Sequence, residues 1–122
     1  MKVSIITVCF NSDRTIEDTI KSIQSQTYSD IEYIVVDGLS KDRTNEVVSK
    51  YGDIVSVHVS EKDSGLYDAM NKGIKLATGD IIGVLNSDDV LADDSVIEKI
   101  VAGFDDESID ATYSDLIYVS QH

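Results

Sequence analysis

Asp88 and Asp89 stand side by side directly after the apolar run at residues 80–85 (DIIGVL). Adjacent carboxylates repel one another unless a cation or a raised pKa relieves them, and such oxygen ligands suit a hard divalent metal. A solvated acidic turn is the alternative, since a chain with 23 acidic residues also contains Asp93-Asp94 and Asp105-Asp106. The place after a buried-type strand favours the cation. Asp37 closes a second apolar run, residues 31–37 (IEYIVVD), and leads into Gly38, Leu39 and Ser40. Its carboxylate can accept a hydrogen bond from a base or sugar, whereas Ser40, Asp42 and Thr44 have the chemistry of turn and helix caps. Phe10 and Asn11 follow a third run, residues 2–8 (KVSIITV). A flat ring there can stack on a nucleobase, with an amide beside it offering donors and acceptors, or it can plug the core. Gly65 sits where a backbone can approach a ligand or open a helix. Lys62 and Lys72 are either phosphate partners or ordinary surface lysines. Cys9 has no base near it in sequence, with His58 in a strand-like run and His122 terminal, and reads as a buried, inert thiol.

These residues fall at the ends of regular elements. The runs at 2–8, 31–37, 54–60 and 80–85 are β-branched and apolar, as strands covered on both faces are. Between them, Ile16, Ile20 and Ile23, then Val47, Val48 and Tyr51, then Leu66, Met70, Ile74 and Ala77 have helical spacing. Gly79 is placed for a left-handed C-cap. Ser95 with Glu98 has the pattern of a capping box opening a fourth helix through Phe104, and residues 111–119 read as a last strand. This alternation predicts an α/β fold: an open, mostly parallel sheet with helices on both faces and right-handed crossovers. In such sheets ligands sit beyond the carboxyl ends of the strands where strand order reverses. An order beginning 3-2-1-4 puts that crevice between strands one and four, with Phe10, Asp37 and Asp88 all at strand tips.

Composition narrows the function further. One compact domain over residues 1–122 is expected. A formal net charge of -13 opposes phosphate backbones and anionic headgroups, so a broad nucleic-acid or membrane-binding surface is excluded and a phosphorylated ligand needs local help, such as a carboxylate-held cation. The lone Cys9, a start without a signal-peptide pattern, and apolar runs too short to span a bilayer lead to the expectation of a cytoplasmic protein. No glycine-rich turn follows the first strand, which removes the dinucleotide fingerprint and the Walker-type phosphate loop. A receiver-type signalling domain shares the alternation and the acidic crevice. It requires acidic residues after strand one and a lysine after strand five, where this chain has Cys9, Phe10 and Asn11, and no lysine beyond Ala111. A non-catalytic nucleotide-binding or assembly module is the remaining alternative.

Four ordered blocks, VSIITVCFN at 3–11, IVVDGLSKDRT at 34–44, GLYDAMNKG at 65–73, and TGD at 78–80 through NSDD at 86–89, resemble family 2 glycosyltransferases of the GT-A fold, particularly bacterial enzymes of surface polysaccharide synthesis. The resemblance covers residues 3–118. It implies the donor-binding part of an inverting enzyme that moves a sugar from a nucleotide-diphosphate sugar, with UDP as the expected nucleotide, to a saccharide or lipid-linked acceptor. By the same resemblance, Phe10 lies against the base, Asp37 hydrogen-bonds it, and Asn86 faces the ribose or sugar. Cys9, Asn11, Gly65 and Asn71 complete the nucleotide-binding set. Asn86 and Asp88 occupy the ends of the family's Asp-x-Asp motif, so Asp88, supported by Asp89, is the expected ligand of Mn2+ or Mg2+. The sequence departs from the family at Met70, where many members carry arginine, and at Asn86, where many carry aspartate. The family's catalytic Asp is expected beyond His122, which leaves these residues binding a donor without transferring it. Association into a homodimer through uncovered apolar surface is a further expectation.

Overall fold

The computed structural model describes residues 1–104, 111–113 and 116–120. Four parallel strands, β1 (Val3–Cys9), β2 (Ile31–Asp37), β3 (Val55–Ser60) and β4 (Ile81–Val84), alternate with α1 (Ile16–Gln24), α2 (Thr44–Ser49) and α3 (Leu66–Leu76). Then come α4 (Val96–Phe104) and two short strands, β5 (Ala111–Tyr113) and β6 (Leu116–Ser120). The sheet order is β3-β2-β1-β4-β6-β5, with β4–β6 and β6–β5 antiparallel and the other pairs parallel. The expected α/β architecture is therefore present, and order reverses between β1 and β4. The single last strand expected over residues 111–119 is two antiparallel strands instead, because Ala111 pairs back onto Tyr118.

All of β1 is buried, and its alternate residues feed two cores. On one face Val3, Ile5 and Cys9 pack with Ile16, Ile20 and Ile23 of α1, Val48 of α2, and Val96, Ile97 and Ile100 of α4. Each of these aliphatic side chains contributes about 1.5–3 kcal/mol by leaving water. On the other face Ile6 and Val8 join Ile34, Val36, Ile82 and Ala69 of α3.

That second face departs from the helical spacing read in the sequence. Met70 and Ala77 are half-buried against this core as expected, but Leu66 and Ile74 are 54% and 43% exposed, and the fully buried positions of α3 are Ala69 and Gly73. The reason is clearance: a Cβ on Gly73 would lie 2.5 Å from Ile6 Cγ2, so only small residues let the helix reach the sheet. Gly79 is likewise not a left-handed cap. Helix α3 ends with Ala77 in an extended conformation, and Gly79 is needed because a Cβ there would lie 2.7 Å from Ser4 Oγ and 2.8 Å from Lys2 O. The capping box does not form either. Asp93 Oδ1 takes both the N–H and the hydroxyl of Ser95 (2.8 and 2.9 Å), while Glu98 accepts from Thr27 Oγ1 at 2.8 Å. Among the described residues no helix is long and apolar enough to cross a membrane.

Strand lengths create the crevice. Cys9 pairs with Asp37, so the tips of β1 and β2 are level, whereas the β1–β4 ladder ends at Ile6 opposite Val84. Leu85 still donates to Ile6 O at 2.8 Å, and the chain then leaves the sheet. Strand β1 thus overhangs β4 by three residues, about 10 Å.

Candidate functional site

A cleft of about 600 Å³ fills this step, lined by Val8 through Thr15, by Asp63, Gly65, Leu66 and Ala69, and by Asn86, Ser87 and Asp88. Of the residues singled out from sequence, Cys9, Phe10, Asn11, Gly65, Asn86 and Asp88 line it. Asp37, Asn71 and Asp89 do not.

The wall at the tips of β1 and β2 is held by side chains that bond the opposite loop. Asn11 (φ 50°) and Leu39 (φ 63°) both adopt left-handed backbone. The Asn11 N–H donates to Ser40 Oγ at 2.7 Å, and its side-chain Oδ1 accepts from Lys41 N at 2.9 Å. Ser12 N donates to Thr44 Oγ1, Asp13 N to Asp42 Oδ2, and Arg43 N to Asp13 Oδ2. Thr44 in turn donates its amide and its hydroxyl to Asp42 Oδ1. Ser40, Asp42 and Thr44 therefore do more than cap their own turn: they fasten it to the neighbouring one.

Asp37 is the anchor behind this wall. It is 0% exposed, and its oxygens accept from Ser40 N (2.8 Å), Asn45 Nδ2 (3.0 Å), Ser60 Oγ (2.8 Å), the Ser40 hydroxyl and the Cys9 thiol (3.5 Å). Burial by itself raises a carboxyl pKa; the donors from Ser40, Ser60 and Asn45 outweigh it and hold Asp37 below the ordinary carboxylate range. Cys9 is pushed in the other direction, far above a normal thiol, by its own burial and then by the Asp37 charge. It is an inert wall residue, as its sequence suggests.

On the β4 side the turn at residues 86–89 closes through Asp89 N to Asn86 O at 3.1 Å. Thr19 of α1, fully buried, donates through Oγ1 toward both Ser87 O (3.0 Å) and Asp89 O (2.6 Å). Ser12 Oγ and Ser87 Oγ lie 2.8 Å apart, joining the loop after β1 to this turn. Asn86 and Asp88 are exposed. Asp89 is half-buried and outside the lining, and Asn71 lies exposed on α3.

The far wall begins at Gly65, whose φ of 126° and ψ of −173° is a conformation open to glycine alone. Asp63 Oδ1 accepts from Gly65 N at 3.1 Å and fixes this entry to α3. Lys72, a candidate phosphate partner from sequence, is closed off by Glu61 Oε1 (3.2 Å), Asp68 Oδ2 (3.6 Å) and the carbonyl of Lys62.

Sequence reasoning missed Thr19, Ser12, Asp63 and Arg14. Thr19 carried a usable signal, as the one polar residue on the buried face formed by Ile16, Ile20 and Ile23. The others carried none, because loop side chains acquire their partners only through tertiary structure.

Among the described residues no group of three or more His, Cys, Asp or Glu side chains could hold a metal ion. The cleft nevertheless offers oxygen donors in Asp88, Asn86 and Ser87, and one or two carboxylates completed by ligand phosphates are how Mg2+-type cations are commonly held.

Comparison with known proteins bears on the family and the fold. The model for glycosyl transferase family 2 matches residues 4–122. A PGL/p-HBAD biosynthesis glycosyltransferase of Mycobacterium bovis is 34% identical over 119 residues, 93% of this chain and 46% of its own length. The crystal structure of S. aureus TarS 1-349 in complex with UDP-GlcNAc superposes with a TM-score of 0.81 at 26% identity, covering 87% of this chain and 32% of that one. Glucosyl-3-phosphoglycerate synthase from Mycobacterium tuberculosis, solved with Mn2+, UDP and glucosyl-3-phosphoglycerate, gives a TM-score of 0.61 at 25% identity over 70% of this chain and 33% of its own. The chain therefore spans less than half the length of these proteins. With a family match across nearly its whole length and the GT-A arrangement of strands around the cleft, the chain belongs to glycosyl transferase family 2.

Proposed function

We propose that the cleft binds a nucleotide-diphosphate sugar, with UDP as the nucleotide, and that these residues form the donor side of an inverting glycosyltransferase acting on a saccharide or lipid-linked acceptor in surface polysaccharide synthesis. The observation that carries this reading is the meeting of Phe10, Asn86 and Asp88 in one cleft at the point where strand order reverses. Phe10 is 58% exposed, too open for a core plug and available for a base to stack on. Asn11 has its carbonyl engaged by Lys41 N, which leaves its side-chain NH2 as a donor beside the ring. Asn86 offers a donor and an acceptor for hydroxyls of the ribose or sugar. Asp88 would hold Mn2+ or Mg2+ together with the diphosphate, and such a cation supplies Lewis-acid stabilisation of the departing nucleotide. The similarity to TarS, solved with UDP-GlcNAc, and to the synthase solved with Mn2+ and UDP supports both nucleotide and metal.

In this reading Asp37 serves from behind, keeping the wall under Phe10 and Asn11 in shape. Titration calorimetry with UDP tests the proposal: affinity should rise when Mn2+ is added, and Asp88→Ala should abolish that rise. UDP binding that ignores both Mn2+ and Asp88→Ala would remove the metal from the scheme. The 122-residue chain is expected to bind without turnover, so radiolabelled sugar should not pass to an acceptor on incubation with it.

A further inference from the structure

We infer that Arg14 is a diphosphate-binding residue and gives the cleft an affinity for the nucleotide that does not depend on a metal; this rests on the donor-binding reading above. Among the described residues, Arg14 is the only cationic side chain lining the cleft. It is exposed and makes no hydrogen bond or ion pair among the described residues. None of the three cleft carboxylates forms an ion pair with it: Asp13 accepts from Arg43 N (3.3 Å), Asp63 accepts from Gly65 N (3.1 Å), and Asp88 is exposed on the turn after β4. The other cations are elsewhere: Lys72 is paired with Glu61 and Asp68, Arg43 with Glu46, and Lys62 is outside the lining.

Placement adds to charge. Thr15 N and Ile16 N both donate to Ser12 O (3.1 and 2.9 Å), so the backbone carrying Arg14 is a closed turn. Ser12 Oγ, 2.8 Å from Ser87 Oγ, joins that turn to the one bearing Asp88. A phosphate near Asp88 is thus within a single cleft with a guanidinium whose donors are all unused. The chain has a net charge of -13 and the lining sets Asp13, Asp63 and Asp88 against Arg14, so the guanidinium is the charged group of the lining that attracts a phosphate. Guanidinium stays charged at all working pH values and bonds phosphate oxygens in pairs, which an ammonium does less well.

The test is calorimetry at low ionic strength in EDTA with three probes, uridine, UMP and UDP. The native chain should bind UDP more tightly than uridine. Arg14→Gln should weaken UDP about tenfold and leave uridine unchanged, and Arg14→Lys should recover part of the loss. UDP affinity equal in Arg14→Gln and the native chain overturns the assignment, as does an equal loss for uridine, which would mark a structural effect. If the native chain binds none of the three probes, with or without Mn2+, the donor-binding reading fails first and the role of Arg14 falls with it.

Discussion

In the wall at the tips of β1 and β2, the side chains of Asn11, Asp13, Ser40, Asp42 and Thr44 are all bonded to the backbone of an adjoining loop or turn, with Asp37 enclosed behind them. At the mouth, the side chains of Arg14, Asn86 and Asp88 line the same cleft and make no hydrogen bond among the described residues. The difference separates two uses of polarity. The buried Asp37 and Thr44 must be satisfied inside the protein or they destabilise the fold, and the more open Asn11, Asp13, Ser40 and Asp42 tie the two loops together around them, so the wall spends its donors and acceptors on shape. Groups at the mouth remain hydrated and hold their bonding capacity for a ligand. Substitutions in the wall should therefore move stability, and those at the mouth should move binding alone.

The largest effect is expected for Asp37→Ala, which strands the donors of Ser40, Asn45 and Ser60 and should lower unfolding free energy by about 3 kcal/mol in urea titrations. A fall below about 1 kcal/mol would show that water replaces the carboxylate and that the wall is softer than its bonding implies. The same group sets a pH signature. Because the folded-state pKa of Asp37 lies below its unfolded value, its contribution is complete above about pH 4 and is lost as pH falls through the folded pKa. Melting temperature should drop on acidification below about pH 4, and less so in Asp37→Asn.

Thr19→Val, which removes the hydroxyl shared by Ser87 O and Asp89 O, should cost about 1–2 kcal/mol. It should also weaken Mn2+-dependent UDP binding, since Asp88 rides on that turn, and unchanged binding would show that the turn keeps its form without α1. Smallest on the stability axis are Phe10→Ala and Asp88→Ala, each expected within about 0.5 kcal/mol of the native chain. Their signatures are in binding: Phe10→Ala should weaken uridine and UDP alike by about tenfold, while Asp88→Ala removes the metal-dependent increment. A clear loss of stability in either variant would erase the distinction between wall and mouth.

Much of the fold can be read from the sequence because strands buried on both faces leave unbroken β-branched runs, and the turn and helix residues between them mark the crossovers. The strand tips bearing Phe10, Asp37 and Asp88 follow from that reading, as does the place where order reverses. What escaped are features that depend on distance rather than residue type. Of the expected stripe of α3, Met70 and Ala77 are half-buried against the core, but the fully buried positions are Ala69 and Gly73, since a Cβ at residue 73 would run into Ile6. Ser95 and Glu98 have cap chemistry, but Asp93 and Thr27 reach them first. Asp37 has a carboxylate suited to a ligand, yet Ser60 and Asn45, brought in by β3 and α2, surround it.

The contact of Gly73 with Ile6 reaches beyond the core. Helix α3 carries Gly65, Leu66 and Ala69 into the cleft at one end and sits on β1 without clearance at Gly73, about 10 Å along its axis from Leu66. A methyl group added at residue 73 has nowhere to go but under the helix, and the lifted helix takes the far wall with it. The width of the cleft is in this sense gauged by a hydrogen atom about two turns further along the helix that walls it, so this family member cannot remodel that part of its interior without retuning what the cleft admits.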